Sequence, residues 1–534
     1  MQLLCALLIS VPPALGLEAE HLELRRMEAR GLRIGAILIE TYDVFDLNDP
    51  AENKLLYRLA NRLHVQTRPQ VIERQLLFRS GELLSVRLIE ETERLLRGNR
   101  YLYDVSIEPG AEVDGVVDLI VRVRDTWSTQ PSISFGRGGG RNSTSFSLNE
   151  YNLAGTGVRL GLSHRKDPQR SSDEFSLTRE PSGGGQLHSR LLLADNSDGH
   201  HRELVVELPF IAADSRRSWA VRALHDEKRI EKFDRESLLS AYHQQEESLD
   251  AGAGWSDGLI DGWVRRISLG MQLQARRDDP IPGETAPAGL LAPRRIATPW
   301  LRLALFEERV AERSNHDTIA RPEYFRLGVR GDVELRYPVA SDGPVSETLA
   351  WRFNLAYTTT PSERSTLAYS LRADGGRGDD PTDVPNWGLS TRAYHRHAGG
   401  SLSFASLLLA ASRRDSTGTL ELGGDNGLRG YPLSYQHGDR RAIFTLERRY
   451  FSDWFPFHLF RVGGAIFFDA GRAWGTAVTN KINRGVIRDV GVGLRIVSAR
   501  SAFGNVTHID LAVPLDRDPA IAGVQFLVST QNSF

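Results

Sequence analysis

From about Thr129 to its last residue the chain alternates apolar and polar positions with a period of two. In "ISLGMQLQAR", Ile267, Leu269, Met271, Leu273 and Ala275 are apolar, while Ser268, Gly270, Gln272, Gln274 and Arg276 are small or polar. "WRFNLAYT" sets Trp351, Phe353, Leu355 and Tyr357 against Arg352, Asn354 and Thr358, and "RELVVELPF" and "LAYSLR" repeat the rhythm. Successive side chains of a strand point to opposite faces, so this period predicts strands with one apolar face. A soluble sandwich also alternates. Segments of about 10 residues with aromatic ends, long polar loops and an alternating final strand favour a membrane-spanning β-barrel over residues 128–534. At roughly 25 residues per strand and loop, about 16 antiparallel strands are expected, an even number as such barrels favour.

Residues 32–126 have another rhythm and predict one small α+β domain, so the fold class is mainly β with a mixed domain in front. "IGAILIETYDVF" is a β-branched strand. "RPQVIERQLLF" predicts a helix with Thr67 as cap and Pro69 in the first turn, where its missing N–H costs nothing. "SVRLIEETERLLRGN" predicts a second helix, with Ser85 as N-cap, Leu88, Ile89, Thr92, Leu95 and Leu96 on one face, and Gly98 ending it. "YLYDVSIEP" and "VVDLIVRVRD" predict a hairpin across a polar turn. Residues 43–63, with the helix-like "PAENKLLYRLANRL", read as an insertion after the first strand.

Composition narrows the function. A net charge of −2 and a pI near 6.7 give no whole-chain case for binding nucleic acid. Mean hydropathy is −0.32, and no run after residue 20 approaches the ~18 apolar residues of a membrane helix. That excludes a helical membrane protein and leaves a barrel open. The single cysteine, Cys5, lies in "LLCALLISVPPALG", which reads as the apolar region of a signal peptide over residues 1–19 with cleavage near Ala19. Residues 20–31 read as a linker. The exported chain then has no disulfide, thiolate nucleophile or Cys-ligated metal.

No motif signals catalysis. "GRGGGR" (136–141) and "GGG" (183–185) lack the Gly-Lys-Ser/Thr and helix of a phosphate loop and read as turns. "GHH" (199–201) and "HRH" (395–397) lack partners at a metal-binding spacing and read as surface-loop histidines. With no nucleophile motif and no carboxylate pair, the expectation is a protein that is not an enzyme and uses no metal or cofactor.

Two stretches are more specific. "GGDNGLRGYPL" (423–433) puts Arg429 on a glycine-bent tip. In "RVGGAIFFDAGRAWG" (461–475), Phe460, Val462, Ile466 and Phe468 share one face, and Arg461, Ala465, Phe467 and Asp469 the other, so Asp469 points into the lumen. Glu447 in "AIFTLERRY" shares inward parity. Arg429 folding back would meet such an acid, Asp469 in preference to Glu447; the plainer reading is a solvated loop charge.

In these residues the chain resembles the BamA/TamA superfamily of outer-membrane proteins, also called the bacterial surface antigen family. "GLRGY" resembles its V-R-G-F/Y loop motif, with Leu428 in place of Val before Arg429, Gly430 and Tyr431. "FFDAG" resembles its inner-wall motif, carried by Phe467, Asp469 and Gly471, whose acid contacts that arginine. "NEYNLAGTG" (149–157) is similar to an early barrel motif, and "VGVGLR" and "HIDLAVPL" to late strands. Residues 32–126, with "RSGELLS", "LLRGNRYLYDV" and "VDLIVRVRD", resemble a single POTRA domain, where relatives carry several.

The resemblance implies an outer-membrane barrel with its N-terminal domain in the periplasm. Its partners would be the bilayer, an unfolded polypeptide client, and periplasmic or inner-membrane accessory proteins. It implies assisted insertion or translocation of polypeptides, by POTRA capture and strand templating; a two-partner-type secretion pore and a diffusion porin are the alternatives. In "GVQFLVSTQNSF", Phe526, Val528 and Phe534 share one face, and the terminal aromatic resembles the signal by which such barrels are recognised for assembly.

Overall fold

The computed structural model of the chain describes residues 14–531 except 139–140, 168–169, 181–186, 235–236, 287–292, 343–346, 379–384, 413–419, 425, 433–434, 476–484, 500–505 and 517–520. The glycine runs at 136–141 and 183–185 and the terminal Phe534 fall wholly or partly outside the described residues, as does most of the expected signal segment 1–19. The chain divides into two compact units, residues 1–129 with two short later segments, and the remainder.

The N-terminal unit contains α1 (Ala14–Ala29), β1 (Arg33–Tyr42), α2 (Leu55–Leu63), α3 (Pro69–Glu73), α4 (Val86–Arg97), β2 (Leu102–Val113) and β3 (Val116–Asp125). Its sheet runs β1-β3-β2, with β1 parallel and β2 antiparallel to the central β3. Asp114 and Gly115 both take positive φ, 49° and 78°, so the β2–β3 turn is of the primed type that suits the strand twist. Val117, Leu119, Val121 and Val123 on alternate positions of β3 are buried, and Ile89, Thr92 and Leu96 of α4 are buried as well.

Several local expectations give way to tertiary partners. The segment 20–31 is not a linker: α1 reaches Ala29, and Leu24 and Met27 are buried in the unit. The first expected helix is only the five residues of α3, with Pro69 at its start and Arg68 at the cap position. Thr67 instead donates its hydroxyl and backbone N–H to the buried Asp125 carboxylate, both at 2.7 Å. Ser85 stands at the α4 cap position without a side-chain bond; the Val86 N–H donates to Glu28 of α1 at 3.2 Å.

The segment Tyr151–Val158 belongs to this unit, and its motif has a local reason. Asn152 donates to the Thr67 hydroxyl at 2.8 Å and accepts from the Gly157 N–H at 2.7 Å. Gly155 takes φ +72°, and a Cβ there would meet the Gln66 carbonyl at 2.3 Å. Only glycine fits that position.

The second unit is a closed antiparallel barrel of twenty-two strand segments, from Thr129–Gly138 to Gln525–Gln531. Arg294–Glu307 and Arg309–Ser314 are one strand with a short break, as are Pro322–Arg336 and Ala340–Asp342. Counting each as one leaves twenty staves among the described residues, four more than the roughly 16 that the spacing suggested. The spacing misled because several connections are two-residue turns: Ser197–Asp198, Asp261–Gly262 and Glu363–Arg364. Asp261 and Gly262 both have positive φ, the primed hairpin geometry.

The register puts the apolar parity on one face across neighbouring staves. Leu446, Phe468, Val490 and Val513 lie in one cross-strand row, and Ile466, Val492, Leu511 and Phe526 in the next. Val528 lies in a third row with Leu494 and Ile509. Ile466, Val492, Leu511, Phe526 and Val528 are all exposed on the outer face. On Phe460–Trp474 the opposite parity, Gly463, Ala465, Phe467, Asp469, Gly471 and Ala473, is buried and faces inward.

Candidate lumen lock

The connection between the staves Leu402–Ala411 and Arg440–Phe451 folds back on a short ladder, Leu420–Leu422 with Gln436–Gly438. Its tip is closed by backbone bonds from Leu428 N–H to Gly423 and from Tyr431 N–H to Leu428, at 3.0 and 3.1 Å. Leu428 and Tyr431 are buried with Leu422 against Ile443, Ala473 and Ile487 of the wall. The tip is therefore packed inside the barrel rather than solvated.

That packing delivers Arg429 to the wall. Its Nε and Nη2 donate to the two oxygens of Asp469 at 2.7 and 3.0 Å, a bidentate pair, and Nη1 donates to Glu447 Oε1 at 2.8 Å. Asp510 stands 3.7 Å from the same Nη1. The guanidinium carbon lies 3.4 Å from the ring centroid of Phe467, between the two acids along the inner face. Asp469 and Glu447 are 1% and 5% exposed, so the arginine charge is balanced by groups that water barely reaches.

Each remaining motif residue has a steric or polar reason. The Gly430 N–H donates to Asp489 at 2.9 Å, and a Cβ on Gly430 would stand 2.6 Å from the Asp489 Cβ. A Cβ on Gly471 would stand 2.8 Å from Leu428, so that glycine admits the loop's leucine. The Tyr431 hydroxyl donates to the Arg488 carbonyl at 3.0 Å and approaches Asp516 at 3.2 Å. A Cβ on Gly491 would meet the Phe467 ring at 2.3 Å, and one on Gly493 would meet Asp510 and Arg495. The glycines of "VGVGLR" thus make room for the ring and ion pair that flank Arg429.

Sequence reasoning reached Asp469 and Glu447 but missed Asp489, Asp510, Arg449, Arg495 and a second element inside the barrel. Parity offered a signal for four of these: outward Leu446 implies inward Arg449, outward Val490, Val492 and Leu494 imply inward Asp489 and Arg495, and outward Leu511 implies inward Asp510.

The second element is the turn 315–321 between Arg309–Ser314 and Pro322–Arg336. The Glu323 carboxylate ties it together, accepting from the N–H groups of His316, Asp317 and Thr318 at 2.8, 2.7 and 3.3 Å. Ile319 is buried with Ala465, Val497 and Val506, on staves several positions round the wall, so the turn reaches across the interior. The Tyr394 hydroxyl donates to both Asp317 oxygens, at 3.1 and 3.0 Å. Arg449, 2% exposed and 4.0 Å over the Phe404 ring, donates to the His316 carbonyl at 2.6 Å and to Glu447 Oε2 at 2.9 Å. Nothing in the polarity of "SNHDTIARPE" distinguished it from an ordinary exposed turn.

The expected surface-loop histidines differ in part from their reading. Gly199–His201 begin a strand, and His200 and His201 pair with Asp195 and Asp226 at 2.9 and 2.8 Å. His395 is the penultimate residue of a strand, where its ring stands 4.9 Å from that of His397.

No family model matches the chain, and no curated protein matches it. Solved structures do. The chain is similar to BamA and to CdiB. A structure of BamA from Haemophilus ducreyi lacking POTRA domains 1–3 matches at 14% identity and a TM-score of 0.36, over 92% of this chain and 84% of that one. CdiB from Acinetobacter baumannii matches at 12% and 0.43, over 95% and 74%, and CdiB from Escherichia coli at 12% and 0.44, over 93% and 75%. Likeness at this level assigns no activity.

Proposed function

We propose that the protein is an outer-membrane β-barrel, with its N-terminal domain in the periplasm, that assists the insertion or translocation of polypeptides. The closed barrel with an apolar outer face and paired backbone suits hydrocarbon, where each unsatisfied backbone group costs several kcal/mol. The N-terminal domain, read as the POTRA domain, has sheet edges on β2 and on β1 beyond Ile34, where the pairing with residues 81–84 stops, that can take an extended client by strand addition. The final stave, Gln525–Gln531, neighbours the first, Thr129–Gly138, where the barrel closes, and at this seam a client strand can be templated. Neither step requires covalent chemistry or a nucleotide.

The observation that carries this reading is the Arg429 lock. A porin needs an open lumen; here a loop tip and a turn both occupy it, the tip held by the buried Arg429–Asp469 ion pair and the turn by the buried Arg449, which donates to the His316 carbonyl. The test uses purified protein in liposomes supplied with unfolded outer-membrane polypeptides. Faster acquisition of heat-modifiable, protease-protected client than with empty liposomes is expected. Equal rates would remove the insertion reading. The secretion-pore reading is favoured by one feature, the turn at Ile319 that spans the interior as a displaceable plug; passage of a client into the liposome lumen, rather than into its bilayer, would select it.

A further inference from the structure

Helix α2 of the N-terminal domain carries a surface that the reading above leaves unused. At 3.6 residues per turn, Leu55, Leu59, Leu63 and Leu56 fall within an arc of about 100°. They are 73%, 50%, 64% and 73% exposed, and Val65 beyond the helix end is 56% exposed. The opposite side of the helix is fixed to the domain. Tyr57 is buried and stacks on Phe45 with ring centroids 4.4 Å apart, and the Asn61 amide bonds both the N–H and the carbonyl of Phe45, at 3.1 and 2.8 Å. The leucines are thus held outward by a rigid anchor.

One border of this face is basic. Arg58 and Arg62 lie along the same edge of the leucine arc and Lys54 precedes it, with no acid between residues 54 and 63. Among the described residues no carboxylate pairs with any of the three; Arg58 donates instead to Asn53 at 2.9 Å. A leucine face edged by arginines whose stems can lie along the apolar surface is the pattern of a helix seated in a membrane interface. Only residues 126–128 separate β3 from the first barrel stave along the chain.

We propose that α2 docks on an anionic phospholipid surface, its leucines entering the interface and Arg58 and Arg62 meeting lipid phosphates. The docking rests on the membrane reading of the barrel. It would tether the N-terminal domain to the bilayer and restrict where its sheet edges present a client.

The test places an environment-sensitive dye on Leu56→Cys in a Cys5→Ser background, using the full chain reconstituted into vesicles, with barrel insertion scored separately by heat-modifiable mobility. In vesicles containing phosphatidylglycerol the dye emission is expected to shift to the blue and to be shielded from an aqueous quencher. The shift weakens in zwitterionic vesicles. Arg58→Gln and Arg62→Gln each weaken the docking equilibrium about fivefold, the share of one basic side chain near an anionic surface. Leu55→Ser with Leu59→Ser, both at exposed positions, abolishes the shift without unfolding the domain. A dye that stays water-exposed on an inserted barrel overturns the lipid docking and leaves the membrane reading intact. A barrel that does not insert overturns both. A blue shift that requires added unfolded polypeptide rather than lipid overturns the proposal in favour of a client surface.

Discussion

Arg429 and Arg449 share one carboxylate: Glu447 accepts from Arg429 on Oε1 at 2.8 Å and from Arg449 on Oε2 at 2.9 Å. Arg429 belongs to the loop tip and Arg449 holds the turn at His316, so one side chain on the wall joins the two elements that occupy the lumen. With both neighbours cationic, neutralising Glu447 takes a carboxylate partner from both at once, leaving Arg429 on Asp469 and Arg449 beside Asp317.

Removing one partner of a buried pair costs about 3–5 kcal/mol, because the other charge stays buried without compensation. Arg429→Ala and Asp469→Ala are each expected to expose the loop 420–438 to protease, and the double variant to be no worse than either single one. Glu447→Gln is expected to open the loop and the turn 315–321 together. A double-mutant cycle of Arg429→Ala with Asp469→Ala on protease protection measures the coupling; simple additivity would show that the two residues do not form a pair.

The inward glycines give a steric test that leaves every charge in place. Gly491→Ala would put a methyl 2.3 Å from the Phe467 ring, and Gly430→Ala one 2.6 Å from the Asp489 Cβ. Both are expected to loosen the loop. Gly464→Ala is the control, since its nearest neighbour would be a carbonyl oxygen at 3.4 Å. Equal protease protection in all three variants would mean that the fit does not hold the loop.

Glu323 accepts three N–H bonds from the turn, and Glu323→Ala leaves those donors unpaired, at about 1–3 kcal/mol each where they stay buried. The turn is expected to leave the lumen, seen as a larger single-channel conductance in planar bilayers. Unchanged conductance would show that the turn does not obstruct the pore.

In the N-terminal domain the His21 imidazole, which the Glu93 hydrogen bond at 3.1 Å holds above its ordinary value of 6.5, ties α1 to α4. A raised folded pKa stabilises the protonated form, so the contribution is complete below 6.5 and is lost as pH rises through the raised value. The stability difference between the native and His21→Gln proteins is therefore expected to shrink as pH rises above 6.5 and through the raised value. Titration of His21 by NMR should return toward 6.5 in Glu93→Gln.

Sequence alone determined the features that are periodic or local. The parity of Ile267, Leu269, Met271 and Leu273 declares a pleated strand with one apolar face, because side chains alternate by geometry whatever the neighbours are. Ile466, Phe526 and Val528 could be placed on that face, and Asp469 and Glu447 on the other, by the same rule. Tertiary structure decided everything that depends on which staves become neighbours. Stave number follows from turn lengths that period two does not encode, which is why twenty among the described residues replaced about sixteen. The inward acids Asp469, Glu447, Asp489 and Asp510 look alike along the chain. Only closure of the wall and burial of Leu428 and Tyr431 bring Arg429 into bidentate reach of one of them. The turn at Ile319 was illegible for the same reason: its partners, Ala465, Val497 and Val506, lie more than a hundred residues away and meet it only across a closed interior.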